Sequence, residues 1–197
     1  MAQRNAALRR IAAGFSNRAA LAPWTESVAS LGAALVEARR EVVAALGPLF
    51  AVRAAEFGLS DAQLRYDAEP PTVEELERRY DRDLQRGATG VGPHLDDVAI
   101  LAGERDLRSF GSQGEQRLAV LSLLLAEADL LLERSGTPPL LLLDDVLSEL
   151  DPERRRILAE RIGDRGQTLV TSTAAAALPT EPEQLLEVSP GRVEVRR

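Results

Sequence analysis

Residues 140–151 read LLLLDDVLSELD, and this stretch constrains the fold more than any other. Four consecutive leucines closed by carboxylates are too short for a core helix and predict a buried parallel strand. The strand ends in Asp144 and Asp145. Open α/β folds place their ligands at the carboxyl ends of parallel strands. There one carboxylate can hold Mg²⁺ on a nucleotide while its neighbour orients an attacking water. The chain has no lysine; all 24 of its Lys+Arg residues are Arg. A phosphate-gripping loop of the form GxxxxGK[ST] is therefore excluded from these residues. The chain carries the magnesium half of an ATP site without the phosphate half.

At 197 residues, with 45% hydrophobic and 28% charged side chains, the chain is long enough for one or two domains with a real core. A net charge of −7 gives no global basic field to advertise nucleic acid, so any DNA contact must use a local Arg stripe or a partner. Zero cysteines exclude disulfides, thiolate nucleophiles and thiolate metal sites. A single histidine, His94, excludes a multi-histidine metal cluster. The opening MAQRNAALRRIAAGF is interrupted by Arg and is no secretory signal. The longest uninterrupted apolar runs fall far short of a membrane span. A cytoplasmic protein without a membrane partner is the expectation.

Two regions are expected, 1–87 mainly helical and 88–197 of strand–loop–helix–strand character. In the first, a helix over about 2–13 ends near Gly14. A longer one runs from about Thr25 to Glu56, with Leu31, Leu35, Val42, Leu46, Leu49 and Phe50 as one apolar face and a kink at Pro48. Together they form a hairpin-like arm. A short strand follows within 61–69. Thr72-Val-Glu-Glu75 is a capping box that opens a helix ending near Gly87. In the second region, 98–102 and 106–108 read as short strands. A strongly apolar helix spans about 115–134. Asp151-Pro152 is an N-cap followed by proline at the first helical position, and that helix ends near Ile162. Residues 168–171 read as a further strand, and 185–188 with 192–195 as a hairpin around Pro190-Gly191.

Several stretches carry chemistry, and each also has a plainer explanation. In Ser109-Phe-Gly-Ser-Gln-Gly-Glu-Gln-Arg117, the glycines allow close backbone approach. Ser112 stands at a helix start where free N–H groups suit a phosphate; ordinary N-capping by Ser112 explains the same residues. Asp144 and Asp145 fit a metal and a base, or merely cap a turn. Asp151 caps a helix whatever else it does. Thr171-Ser172-Thr173 ends a strand in hydroxyls that can reach a γ-phosphate or a water, or can simply begin a polar loop. Gly92-Pro93-His94-Leu95-Asp96-Asp97 offers two more carboxylates, better read as a solvated turn than as a second metal site. Arg154, Arg155 and Arg156 point in three directions on a helix and make a solvated basic face rather than a nucleic-acid patch.

The order of these stretches is far more specific than any one of them. Ser112-x-Gly114-x-x-Arg117, a long apolar helix, hhhhDD, SELD and a hydroxyl-ended strand resemble the signature, Walker B, D-loop and switch of an ABC-type ATPase. The wording GPHLDD, SFGSQGEQR, LLLLDDVLSELD and TLVTST is similar to the RecF DNA repair and recombination ATPases, and the QRNAAL opening with Trp24 is similar to their helical lobe. The resemblance covers nearly the whole chain and is densest over 89–173.

The resemblance implies an α/β fold, the C-terminal half of an ABC-type ATPase head with a helical lobe. It implies that Ser112, Gln113 and Gly114, with Asp151, contact the ATP of an opposite subunit. Asp144 takes the Mg²⁺ role, and Asp145 the catalytic base position with Thr173 at the switch. ATP and Mg²⁺ are the implied cofactors. The implied partners are single-stranded or gapped duplex DNA, a second copy in an ATP-dependent homodimer, and recombination mediator proteins. It also implies that the P-loop belongs to an N-terminal segment this sequence does not contain, so the chain alone is expected to be inactive as an ATPase. Leu95 stands where the family pattern GPHRDD has Arg. A regulatory half-domain that binds a full-length ABC-type partner is the alternative. A hydrolase using Asp144 and Asp145 on metal is a third reading, without a substrate pocket legible elsewhere in the chain.

Overall fold

A computed structural model describes residues 1–163, 166–173, 177–178 and 180–196. The chain forms two compact units. The first comprises Met1–Pro48 and Gln63–Arg108, the second Leu49–Ala62 and Ser109–Arg197. The change of motif at 87/88 thus falls inside the first unit, and the long helix contributes to both units, changing over at Pro48.

In the first unit, α1 (Ala2–Ala12) and the first part of α2 (Ala22–Glu56) pack with α3 (Val73–Arg78) and α4 (Tyr80–Arg86). Thr72 caps α3, its hydroxyl accepting from Glu75 N at 3.1 Å. The single helix expected over 72–87 is two: the chain breaks at Arg79 and closes on Gly87 in the left-handed conformation, φ 63°. Pro48 lies inside α2 without ending it. The buried stripe of α2 in this unit is Thr25, Val28, Gly32 and Val36, residues three or four apart as a packed helix face requires. This corrects the expected face: Leu31 is 71% exposed, and Leu35 and Val42 are exposed with it. Gly32 explains the choice, because a Cβ there would stand 2.6 Å from Pro71 Cγ. The helix lies against Pro71 at the one position of this stripe that has no side chain. By length and composition the Arg18–Glu56 segment meets the criterion for a membrane span, which a count of uninterrupted runs overlooks. Its buried residues and its several charged ones mark it instead as a helix of the packed units.

A three-stranded sheet in the order β1-β2-β3 completes this unit, with β1 at Ala62–Arg65, β2 at Ala99–Ala102 and β3 at Arg105–Asp106. The strand expected at 106–108 is corrected: β3 stops at Asp106, and Leu107–Phe110 forms a short helix, α5. The cause is local, since the Asp106 carboxylate accepts from Arg108 N at 2.8 Å and so caps a helical turn.

In the second unit, α6 (Gln113–Ser135) is the core helix, and α7 (Pro152–Ile162) follows the acidic strand. β4 (Leu141–Leu143) and β5 (Thr168–Val170) pair in parallel, Leu143 opposite Val170. Leu141 and Leu143 are buried, as is Leu121 on α6. Leu142 is 65% exposed and its partner Leu169 is exposed too. The strand is parallel as expected but buried on one face only, a correction to the expected burial on both: no described element covers the face that carries Leu142 and Leu169. β6 (Leu185–Ser189) and β7 (Arg192–Arg196) form the hairpin, turning at Gly191 with φ 75°. The period of two puts Leu186, Val188, Val193 and Val195 on one face and the Arg196–Glu187 and Arg192–Glu194 ion pairs on the other.

Candidate functional site

The site lies within the second unit, at the carboxyl ends of β4 and β5. The parallel register that sets Leu143 beside Val170 brings the next residues, Asp144 and Thr171, together. Thr171 Oγ1 donates to Asp144 Oδ1 and accepts from Asp145 N at 3.0 Å. One hydroxyl thereby ties the side chain of the first aspartate to the backbone of the second. Asp145 is in the left-handed conformation, φ 47° and ψ 25°, at the start of a 3₁₀ turn over Val146–Glu149. Asp and Asn tolerate this region better than other non-glycine residues. Its carbonyl accepts from Ser148 Oγ at 2.8 Å, which fixes the turn. Both aspartates are exposed.

Across an open cavity of about 730 Å³ stands the start of α6; Gln113, Gln116, Arg117, Asp144, Asp145 and Glu149 are among its lining residues. Ser112 caps α6 through a complete capping box: its hydroxyl accepts from Glu115 N at 3.2 Å and its N–H donates to Glu115 Oε2 at 2.8 Å. Ser112, Gln113 and Gly114 are all exposed. A Cβ at Gly114 would meet nothing nearer than Ser112 Oγ at 4.0 Å. Arg117 makes an ion pair with Glu149, which joins the helix start to the turn after Asp145.

The other candidates are placed elsewhere. Asp151 caps α7, accepting from Arg154 N at 2.9 Å and pairing with Arg154 Nη1 at 3.0 Å. Thr173 is exposed, and Thr171 rather than Thr173 holds the hydrogen bonds to the aspartates. The resemblance put Thr173 at the switch; the β4–β5 register sets Thr171, not Thr173, beside Asp144. Arg154 also donates to Phe57 O, Arg155 to Leu150 O, and Arg156 pairs with Glu160, so the triple arginine is spent on local contacts. In the first unit, Asp96 accepts from Tyr66 OH at 3.2 Å and Asp97 pairs with Arg108. Leu95 is exposed.

Among the described residues no group of three or more His, Cys, Asp or Glu side chains forms a metal cage. The acidic pair still fits Mg²⁺, which is usually held by one or two carboxylates plus substrate phosphates and waters. Asp144 has one oxygen engaged by Thr171 and the other without a described protein partner.

No family model matches the chain. Curated relatives do. A DNA replication and repair protein RecF of Cyanothece sp. (strain PCC 7425 / ATCC 29141) is 37% identical over 96% of the chain and 55% of its own length. The protein of the same name from Geobacter sulfurreducens is 39% identical over 91% and 52%. Among solved structures, the recombination mediator protein RecF of the RecFOR pathway with a thio-analogue of ATP superposes with a TM-score of 0.84 at 26% identity, covering 98% of the chain and 55% of that protein. The same protein with ATP gives 0.83. The chain spans about half the length of the curated relatives it matches.

Proposed function

We propose that this chain, which aligns throughout with the C-terminal part of the RecF DNA replication and repair proteins, supplies one composite half of an ATP site to a DNA-repair ATPase. The observation that carries the reading is the acidic strand end, where Thr171 fastens Asp144 to Asp145 at the carboxyl edge of a parallel pair. Asp144 would hold Mg²⁺, which neutralises phosphate charge when bound. Asp145 would accept the proton of the attacking water at its carboxylate. Gln113 and Gly114 would present their N–H groups, and Ser112 its hydroxyl, at a helix start to the phosphates of a nucleotide held by a second subunit. Asp151 and Thr173 would lie near that nucleotide. Gly114 supports this, since among the described residues a Cβ there would meet only Ser112 Oγ, at 4.0 Å. Arg117 and Glu149 would transmit the state of the signature helix to the turn beside Asp145.

In this reading the assembled protein is an ATP-dependent homodimer that binds gapped or single-stranded DNA in the cytoplasm and works with recombination mediators. DNA binding belongs to the dimer, because the net charge of −7 and the internal contacts of Arg154, Arg155 and Arg156 give the chain alone little to offer a phosphate backbone. The test uses a RecF-type protein that contains these residues together with a P-loop. With a slowly hydrolysed ATP analogue it should sediment as a dimer. Ser112→Arg should abolish the dimer and leave nucleotide binding intact, since the serine acts on the neighbour's nucleotide. An unchanged dimer fraction refutes the assignment across subunits.

A further inference from the structure

Both partners of the Thr171 hydroxyl belong to the acidic pair. The Asp145 N–H donates a hydrogen bond to it, and it donates one to Asp144 Oδ1. Hydrogen bonds chained in this way polarise and strengthen one another, and the last acceptor is a carboxylate. The chain of bonds fixes two things at once: the rotamer of Asp144 and the peptide plane leading into the left-handed Asp145, φ 47°. Without it, Asp144 is an exposed side chain at a strand end, free to rotate about two bonds. Thr171 is itself exposed and lies just past the end of β5, so its hydroxyl is no part of the buried core.

We propose that Thr171 is a positioning residue for the metal-holding carboxylate: its hydroxyl occupies Oδ1 of Asp144, locks the side chain, and leaves Oδ2 for the cation. This rests on the ATP-site reading above. The hydroxyl also keeps Asp145 at a fixed offset from Asp144 through the backbone, so that the cation ligand and the proton acceptor move as one body. A threonine or serine hydroxyl is required, since only a group that both donates and accepts completes the chain.

The experiment uses a RecF-type protein that contains these residues together with a P-loop, and compares the wild type with Thr171→Val and Thr171→Ser by NMR. Amide exchange at Asp145 should be slow in the wild type and in Thr171→Ser, and about tenfold faster in Thr171→Val, the scale of one lost hydrogen bond within the relay. Paramagnetic broadening of Asp144 by Mn²⁺, added as its ATP complex, should require about tenfold more metal in Thr171→Val, with Thr171→Ser near wild type. The thermal midpoint should be the same in all three, which separates positioning from folding. Exchange at Asp145 that ignores Thr171→Val overturns the positioning role alone. Unequal exchange with equal broadening in all three proteins overturns its link to the metal. Mn²⁺ that broadens no Asp144 signal in the wild type overturns the ATP-site reading and this role with it.

Discussion

A charged network in the first unit and the acidic pair of the second are built to opposite ends. In the first unit Arg4 is fully buried, and its guanidinium reaches Asp83 at 2.8 Å, the Thr89 hydroxyl at 2.6 Å and the Leu76 carbonyl at 3.3 Å. Asp83 in turn accepts from Gly90 N at 3.0 Å, and Asn5 accepts from Thr89 N at 2.8 Å. Both charges are shut off from water, and the network ties α1 and α4 to the loop over 87–92. In the second unit Asp144 and Asp145 are exposed, share a single hydroxyl, and leave carboxylate oxygens without a described protein partner. A closed network specifies one packing. An open one keeps its capacity for something brought from outside.

Removing one member of the closed network should have the largest effect. Arg4→Ala leaves Asp83 buried without its counter-charge, which costs about 3–5 kcal/mol. Urea unfolding followed at α1 and α4 should show this loss, while Asp144→Asn should stay within about 0.5 kcal/mol of wild type, as surface changes do. Equal losses at the two sites would erase the distinction between a structural and an open network.

The same contrast explains what was legible in the sequence. The long helices, the Asp151-Pro152 start of α7, the β4 strand and the closing hairpin follow from periodicity and local capping, and stand within a few residues of where the sequence puts them. The buried face of α2 does not follow. Leu31, Leu35 and Val42 are as apolar as Val28 and Val36, and only the distant Pro71 lying against Gly32 decides between the stripes. Likewise Asp106 turns 107–110 into a helix with one side-chain hydrogen bond that propensity does not reveal. The acidic pair was visible as residues, but its clasp by Thr171 depends on the register of two strands 24 residues apart, Leu143 and Thr168 being the bounds of that gap. The buried role of Arg4 is hidden for the same reason: an arginine on a short amphipathic helix reads as solvated until Asp83 and Thr89 arrive from later in the chain.

Glycines extend the comparison at lower energy. Gly32 sits in the helix interior with Pro71 Cγ 2.6 Å from where a Cβ would be. The ring is held in its own chain segment and cannot swing aside as a long side chain would. Gly32→Ala gains helix propensity but overpacks the contact, and should cost about 1–2 kcal/mol net. Thermal unfolding checks it; a gain in stability would mean that the 70–71 segment yields to α2.

Gly114 should respond in the opposite sense and by the smallest amount. It lies in the first turn of α6, its φ is not positive, and a Cβ there would meet only Ser112 Oγ at 4.0 Å. Among the described residues no turn, close approach or left-handed backbone accounts for it. Gly114→Ala should therefore stabilise this chain by about 0.5 kcal/mol, through the lower backbone entropy of the unfolded state and better helix propensity. In a RecF-type protein that contains these residues and a P-loop, the same change should weaken ATP-dependent dimerisation, because the methyl group fills the space that a phosphate needs beside the helix N–H groups. The two measurements, a thermal midpoint and a dimer fraction, move in opposite directions only if the glycine is kept for an outside ligand. A stabilised chain with undiminished dimerisation would leave the helix start as ordinary capping by Ser112, and would move the weight of the proposed function wholly onto Asp144, Asp145 and Thr171.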